Sequence, residues 1–296
     1  MDSWLALAVL AQFLFAITVL VDKHIVARAE HIGKPIVYAF FVSLLSGFVI
    51  VLVPFGVVSW PNEQVFFHSA IFAVAFTLAI YLLYSALKIA RASDVAPVVG
   101  GVSAIVTALL ASVVIGDVVS SHVPALLLLA LGTAIISHFH FSRRAIFLTG
   151  ASGLAFAVSV VAAKLVFLET SFLDGFFWTR ALNVAVALSP LLIPSLRAVI
   201  FHGGRKSSTH AKGLVLGNKV VGGIGAALTA YAISLGSVSI VNALAGLQFV
   251  FLFIFALLFA RHMPLFSEEK RGDHGGWHTA VGVTLIVAGL AALYLT

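Results

Sequence analysis

FAITVLVDKHIV, from Phe15 to Val26, ends an apolar run on an acid and a base, and FAVSVVAAKLVF, from Phe156 to Phe167, writes nearly the same pattern again. A shift of 141 residues lays Phe15, Ala16, Thr18 and Lys23 over Phe156, Ala157, Ser159 and Lys164. A shift of 146 lays SALKIARASDVAPVVGG, from Ser85, over YAISLGSVSIVNALAGL, from Tyr231. Matches that recur in two separate apolar runs of each half point to an internal duplication.

Composition sets the class. A chain that is 61% hydrophobic and 9% charged, with 25 Phe and a mean hydropathy of +1.15, is too apolar for a soluble domain of this size. It reads as a polytopic membrane protein. The net charge of +6 then belongs to the links, where basic residues meet headgroups and set orientation, so nucleic acid is not expected as a partner. With no cysteine, disulfides, thiolate metal sites and thiol catalysis are all excluded. The opening MDSWLALAVL carries an acid and no basic region before its apolar stretch, so it reads as a first span rather than a cleaved signal.

A bilayer core of roughly 30 Å takes about 20 apolar residues per helix. Ten runs meet that length: 3–21, 35–58, 66–87, 95–115, 123–141, 146–167, 175–195, 212–235, 238–260 and 277–295. None alternates with period two, so these are helices and not barrel strands. The links are short, which leaves no room for a soluble domain. Residues 1–144 and 145–296 form two five-helix halves. Because five is odd, the second half lies upside down relative to the first, the plan of secondary transporters with substrate bound near the midplane. Lys and Arg gather in the links after the odd spans, among them Lys34, Arg143, Arg144 and Arg205, while the opposite links carry Lys164 alone. That bias puts the odd links in the cytoplasm and both termini outside.

YLLYSALKIARASDVAPVVGGVSAIVTALLASVVIGD, from Tyr81 to Asp117, resembles the EamA-type repeat of the drug/metabolite transporter superfamily. A span ending in Ala-Leu-Lys is followed by a tight polar turn and by a span opening on Ala-Pro and closing on Gly-acid. The second copy, from Tyr231 to Met263, is similar in YAISLGSVSIVNAL but ends FARHMP, without the Gly-acid close. Arg180, early in a second span in FFWTRALNVAV, is another shared element; the first half has Phe40 at that level. The resemblance implies a ten-helix transporter of small metabolites and leaves the metabolite open.

Charges at membrane depth are costly unless paired or facing water, and so are candidates for function. Lys219, deep in the eighth span, either serves a site or reaches back to the interface. Arg180, in the seventh, either grips a carboxylate or phosphate bidentately or stacks on an aromatic ring as a clamp. Lys23 and Lys164, at repeat-related span ends, read as interfacial anchors. Asp22, beside Lys23, caps or neutralises a neighbour. Gln12, Asn183, Asn242 and Gln248 can hydrogen-bond across helices, and Tyr81 and Tyr84 share a helical face. With Trp178 these residues form the expected substrate-binding set.

No span carries Asp or Glu in its central part, which disfavours proton-coupled export of cations. The buried charges are cationic and favour a carboxylate or phosphate. His138 and His140 in SHFHF, with His202, His210, His262, His274 and His278 in the links, raise a metal-dependent membrane enzyme as a rival. Positions i and i+2 point to different sides of a helix, however, and HExxH, GxSxG and GxxxxGK[ST] are all missing from the chain. The expectation is therefore a non-enzymatic carrier without cofactor in the plasma membrane. It would export an amino acid or other organic anion or zwitterion by alternating access, as a monomer or homodimer, with a coupling ion such as H+. Export of hydrophobic or cationic compounds is the alternative.

Overall fold

The computed structural model describes residues 3–28, 34–90, 92–117, 123–136, 142–206 and 208–259, together with 281, 282, 284–289 and 292. Every regular element among them is helical. Helix α1 runs Ser3–Arg28, α2 Pro35–Leu45, α3 Glu63–Ile89, α4 Ala92–Val114, α5 Val123–Ile136 and α6 Arg143–Glu169. Then come α7 Phe172–Leu188, α8 Pro194–Lys206, α9 Thr209–Leu235, α10 Val238–Ala243 and α11 Leu247–Phe259. Six stretches are long and apolar enough to cross a membrane: Ser3–Val26, Pro35–Phe55, Glu63–Ile89, Arg143–Glu169, Phe172–Leu192 and Thr209–Leu235. The protein is thus a multi-pass membrane protein. The expected last span, 277–295, lies largely outside the described residues, as do His138, His140, His262, His274 and His278.

Local chemistry explains where the helices start and stop. The side chains of Asn62, Ser142, Ser171, Ser208 and Ser237 each accept from the backbone N–H three residues on, opening α3, α6, α7, α9 and α10. The second run continues beyond Leu45 as a 3-10 helix, Ser46–Phe55, at whose first residue the Ser46 hydroxyl donates to the Ser43 carbonyl. It ends at Gly56, whose φ of 66° is open to a residue without a Cβ.

Three expected boundaries change. The first helix continues through Asp22 and Lys23 to Arg28 instead of ending at 21. The expected link after span 7 contains α8, a short helix with one apolar and one basic side. The ninth run breaks at Leu244–Gly246 into a 3-10 turn between α10 and α11.

The bundle is organised by two long pairings, α3 with α6 and α1 with α9, with α4 packed on α6 and α7 on α3. Close approach of α4 to α6 depends on Gly153, where a Cβ would sit 2.8 Å from both Val102 Cβ and the Val99 carbonyl oxygen. Outward-facing apolar side chains such as Phe67, Leu109, Val113 and Phe147 are the surface that hydrocarbon would cover. On α3 and α9 the last carbonyls find a lysine. Lys23 Nζ donates to Leu87 O and Ala90 O, both at 2.8 Å, and Lys164 Nζ donates to Ile233 O and Gly236 O, both at 2.9 Å. A cation there satisfies orphan carbonyls and meets the negative end of the helix dipole.

Lys23→Met and Lys164→Met should therefore each destabilise the detergent-solubilised protein by about 1.5–3 kcal/mol, the range for hydrogen bonds to charged groups. Thermal unfolding of the two variants against wild type is the check; unchanged melting would remove the capping role.

Candidate functional site

Between the two long helix pairs lies a cavity of about 350 Å3, the size range of small-molecule sites. Its wall is mostly hydrocarbon, including the rings of Phe15, Phe48, Phe72, Phe76, Phe156 and Phe176. Gly222 and Gly223 of α9 also line it and leave it room. Two charged centres sit in this apolar wall.

The first is an ion pair. Asp22 of α1 and Lys219 of α9 meet with Lys219 Nζ 2.7 Å from Asp22 Oδ1 and 3.0 Å from Oδ2. Asn218 Nδ2 donates to Asp22 Oδ1 at 2.6 Å and to the Thr18 carbonyl at 3.1 Å. The Tyr38 hydroxyl of α2 also donates to Asp22 Oδ1, and the Tyr84 hydroxyl of α3 donates to Oδ2 at 3.4 Å while accepting from Lys219 at 3.2 Å. The tyrosine rings lie 4.5 Å apart, and the ammonium rests 5.1 Å from one centroid and 5.6 Å from the other. Four donors thus converge on one carboxylate, about its full acceptor capacity. The arrangement brings four helices to one point, and each charge is buried only because the other is present.

The second centre is Arg180 of α7, which is 8% exposed. Its guanidinium carbon lies 5.3 Å from the Phe72 ring centre, 5.4 Å from Phe76 and 5.2 Å from Phe176. Rings stabilise a cation through their faces but offer its N–H groups no lone pair. No carboxylate or carbonyl bonds this guanidinium among the described residues. The arrangement leaves a buried fork of donors among aromatic rings in the wall of the cavity.

The two centres are at different depths. Lys23 ties the C-terminal end of α1 to that of α3, and Trp178 Nε1, near the start of α7, donates at 2.9 Å to the Ser59 carbonyl just before α3 begins. Along α3, Phe72 and Phe76 come two to three turns before Tyr84, so at ~1.5 Å per residue the centres lie roughly 12–18 Å apart along the bundle. Arg180 and Lys219 therefore do not converge on one ligand group. Lys219 is already neutralised.

The expected binding set separates accordingly. Gln12, Tyr84, Arg180, Lys219, Asn242 and Gln248 line the cavity. Asn242 Nδ2 donates to Ser103 Oγ at 2.9 Å and Thr107 Oγ1 at 2.7 Å, and Gln248 Nε2 donates to the Phe15 carbonyl at 3.3 Å. Asn183 is fully buried behind the wall, bridging Thr77 of α3 and Ser46 at the end of α2. Tyr81 is 39% exposed on the outer surface, because its neighbour at i+3, Tyr84, takes the inner face. Trp178 lies at the rim against Trp60, ring centres 6.0 Å apart, and not in an aromatic wall.

Asp22 lines the cavity and was left out of the expected binding set. The first helix continues past Asp22 and buries it near the end of the span, so a carboxylate lies inside the bundle although none stands at the centre of a span among the described residues. The signal was available: an acid after an apolar run, with no Gly, Pro or turn residue to stop the helix before it. The rings of Phe72, Phe76 and Phe176 could not be singled out from 25 phenylalanines.

Among the described residues no group of three or more His, Asp or Glu side chains could hold a metal ion. No protein-family model matches the chain, and no curated protein matches it. A solved structure, described only as a crystal structure of a protein, aligns with 100% of this chain and 97% of its own at 18% identity, with a TM-score of 0.66. At that identity the likeness is one of fold alone.

Lys219→Met should lower stability by about 3–5 kcal/mol, as for one partner of a buried pair, by stranding Asp22. The double variant Asp22→Leu with Lys219→Met should recover much of that loss. Additive effects in this double-mutant cycle would show that the two charges are not coupled.

Proposed function

We propose that this protein is a secondary carrier of a small organic anion or zwitterion, built as two inverted five-helix repeats over 1–144 and 145–296 and working by alternating access. The repeat reading draws support from the lysine caps. Lys23 and Lys164 are related by the same shift of 141, and the carbonyls they bind, Leu87 and Ala90 against Ile233 and Gly236, by the same shift of 146, that align the sequences. The two long pairings, α1 with α9 and α3 with α6, exchange under that relation. The resemblance to EamA-type members of the drug/metabolite transporter superfamily agrees with this plan.

One observation carries the substrate side of the reading: the Arg180 guanidinium lines the cavity with rings on its faces and no anion at its edge. A ligand carboxylate would complete it and would be held bidentately. Asp22 gives a coupling proton a place to act, inside the first span and against Lys219. An exporter of cations is the weaker reading, because the one carboxylate lining the cavity is already matched by a lysine.

The test is thermal stabilisation of the purified full chain by a panel of amino acids, organic acids, sugar phosphates, nucleosides and cationic dyes. A true ligand at 100 times its Kd should stabilise by about 2.7 kcal/mol, and Arg180→Gln should lose that gain. Stabilisation by cationic dyes alone, equal in wild type and Arg180→Gln, would overturn the anion-carrier reading.

A further inference from the structure

Resting on that carrier reading, we infer that the substrate is an organic monoanion with a compact apolar body, bound through its anionic group to Arg180 and Thr229, and not an amino acid. Three observations carry this.

The first is charge. Of the side chains lining the cavity, Asp22, Lys219 and Arg180 are the charged ones, and Asp22 with Lys219 cancels. The remaining charge is a single guanidinium. In an apolar wall a ligand that leaves no net charge is favoured, and here that is one negative charge.

The second is acceptor capacity. An amino acid brings an ammonium, and the one anionic acceptor among the side chains lining the cavity is Asp22, the others being neutral amide and hydroxyl oxygens. The carboxylate of Asp22 already receives Tyr38, Tyr84, Asn218 and Lys219. Reach is a further bar, since the pair lies two to three helical turns along α3 from the Arg180 level, roughly 12 Å or more, whereas an α-ammonium sits beside its own carboxylate. Around Arg180 the neighbours are the rings of Phe72, Phe76 and Phe176, which suit an apolar body.

The third is an unmatched donor. Thr229 of α9 lines the cavity, and its buried hydroxyl has no partner among the described residues. The residue after it, Ala230, belongs to the same buried cluster as Phe176, one of the three rings around Arg180, and Thr229 lies ten residues, roughly 15 Å, along α9 from Lys219, which puts it near the depth of Arg180. A guanidinium and a hydroxyl at one depth make a receptor for a carboxylate, or for a sulfonate of the same charge.

The test uses an isosteric series on the full chain in detergent, read by thermal shift and titration calorimetry. Its members are 3-phenylpropanoate, phenylalanine, 3-phenylpropanamide, 2-phenylethylamine and phenylsuccinate, with palmitate added to separate a soluble metabolite from a membrane-derived fatty acid. Phenylpropanoate should bind best. Phenylalanine, which differs by one unsatisfied ammonium, should bind roughly tenfold or more weakly, and the dianion should also fall behind. Thr229→Val should weaken phenylpropanoate several-fold, and Arg180→Gln should erase its advantage over the amide. Arg180→Lys keeps the charge without the planar fork, and should bind phenylpropanoate more weakly even where Arg180→Gln does not fold.

Phenylalanine binding as tightly as phenylpropanoate, with both lost in Arg180→Gln, would overturn this inference and leave the anion carrier standing. Palmitate outcompeting phenylpropanoate through Arg180 would overturn the compact body. Binding of phenylethylamine alone, indifferent to Arg180, would overturn the inference and the carrier reading together.

Discussion

The Asp22–Lys219 pair is the constraint on which the interior depends. In a wall of phenylalanine, valine and glycine neither charge is tolerable by itself, so α1 and α9 must hold the register that brings them to 2.7 Å. Tyr38 and Tyr84 then fix α2 and α3 to the same point. Once this cluster is satisfied, it presents no free donor or acceptor of consequence to the cavity. That withdrawal makes Arg180 the chemically open group.

On the two-repeat reading the charges are distributed without symmetry. The 141-residue shift that pairs Lys23 with Lys164 puts Ala163 at the position of Asp22, and the 146-residue shift puts Ala73 at the position of Lys219. Both alanines are buried in the contact between α3 and α6, where the ion pair has its counterpart in a plain apolar seam. Arg180 likewise falls opposite Ala39 under the 141-residue shift, next to Phe40, and both are buried on α2. The duplicated framework, down to the lysines capping helix ends, is retained in both halves, whereas the functional charges are not. One end of the cavity carries a closed ion pair and the other a single open cation, so the two ends present different chemistry to a ligand.

The membrane-spanning helices were legible in the sequence because they rest on composition and periodicity. Apolar runs of about 20 residues have few alternatives to spanning helices, and Ser or Asn before a run marks its start. Lys23 and Lys164 read as anchors at span ends, and the structure gives those anchors a definite partner in the helix-terminal carbonyls. The candidate site was legible only in part. Lys219 and Arg180 stand out as charges at depth in any reading, but whether a charge is compensated depends on a residue nearly 200 positions away. Asp22 was hidden by a boundary: a span counted to the last apolar residue stops at 21, whereas an α-helix continues until something breaks its hydrogen bonds. Tyr81 and Trp178 were misplaced for a related reason, since aromatic residues at membrane depth serve lipid, rim and cavity alike.

On the carrier reading, the cage around Arg180 argues for a receptor over a clamp. A structural clamp needs the cation to finish its hydrogen bonds within the protein, as Lys23 and Lys164 do with two carbonyls each. Asn183, three residues further along the same helix, also finishes its bonds, through Thr77 and Ser46. Arg180 has rings at 5.2 to 5.4 Å and, among the described residues, no carbonyl or carboxylate at its edge. The rings hold the guanidinium plane and exclude water from its faces, which strengthens any later bond to an anion by lowering the local dielectric. A side chain so placed is worth least to the empty protein and most to the occupied one. That difference is what a binding site requires and what a clamp lacks.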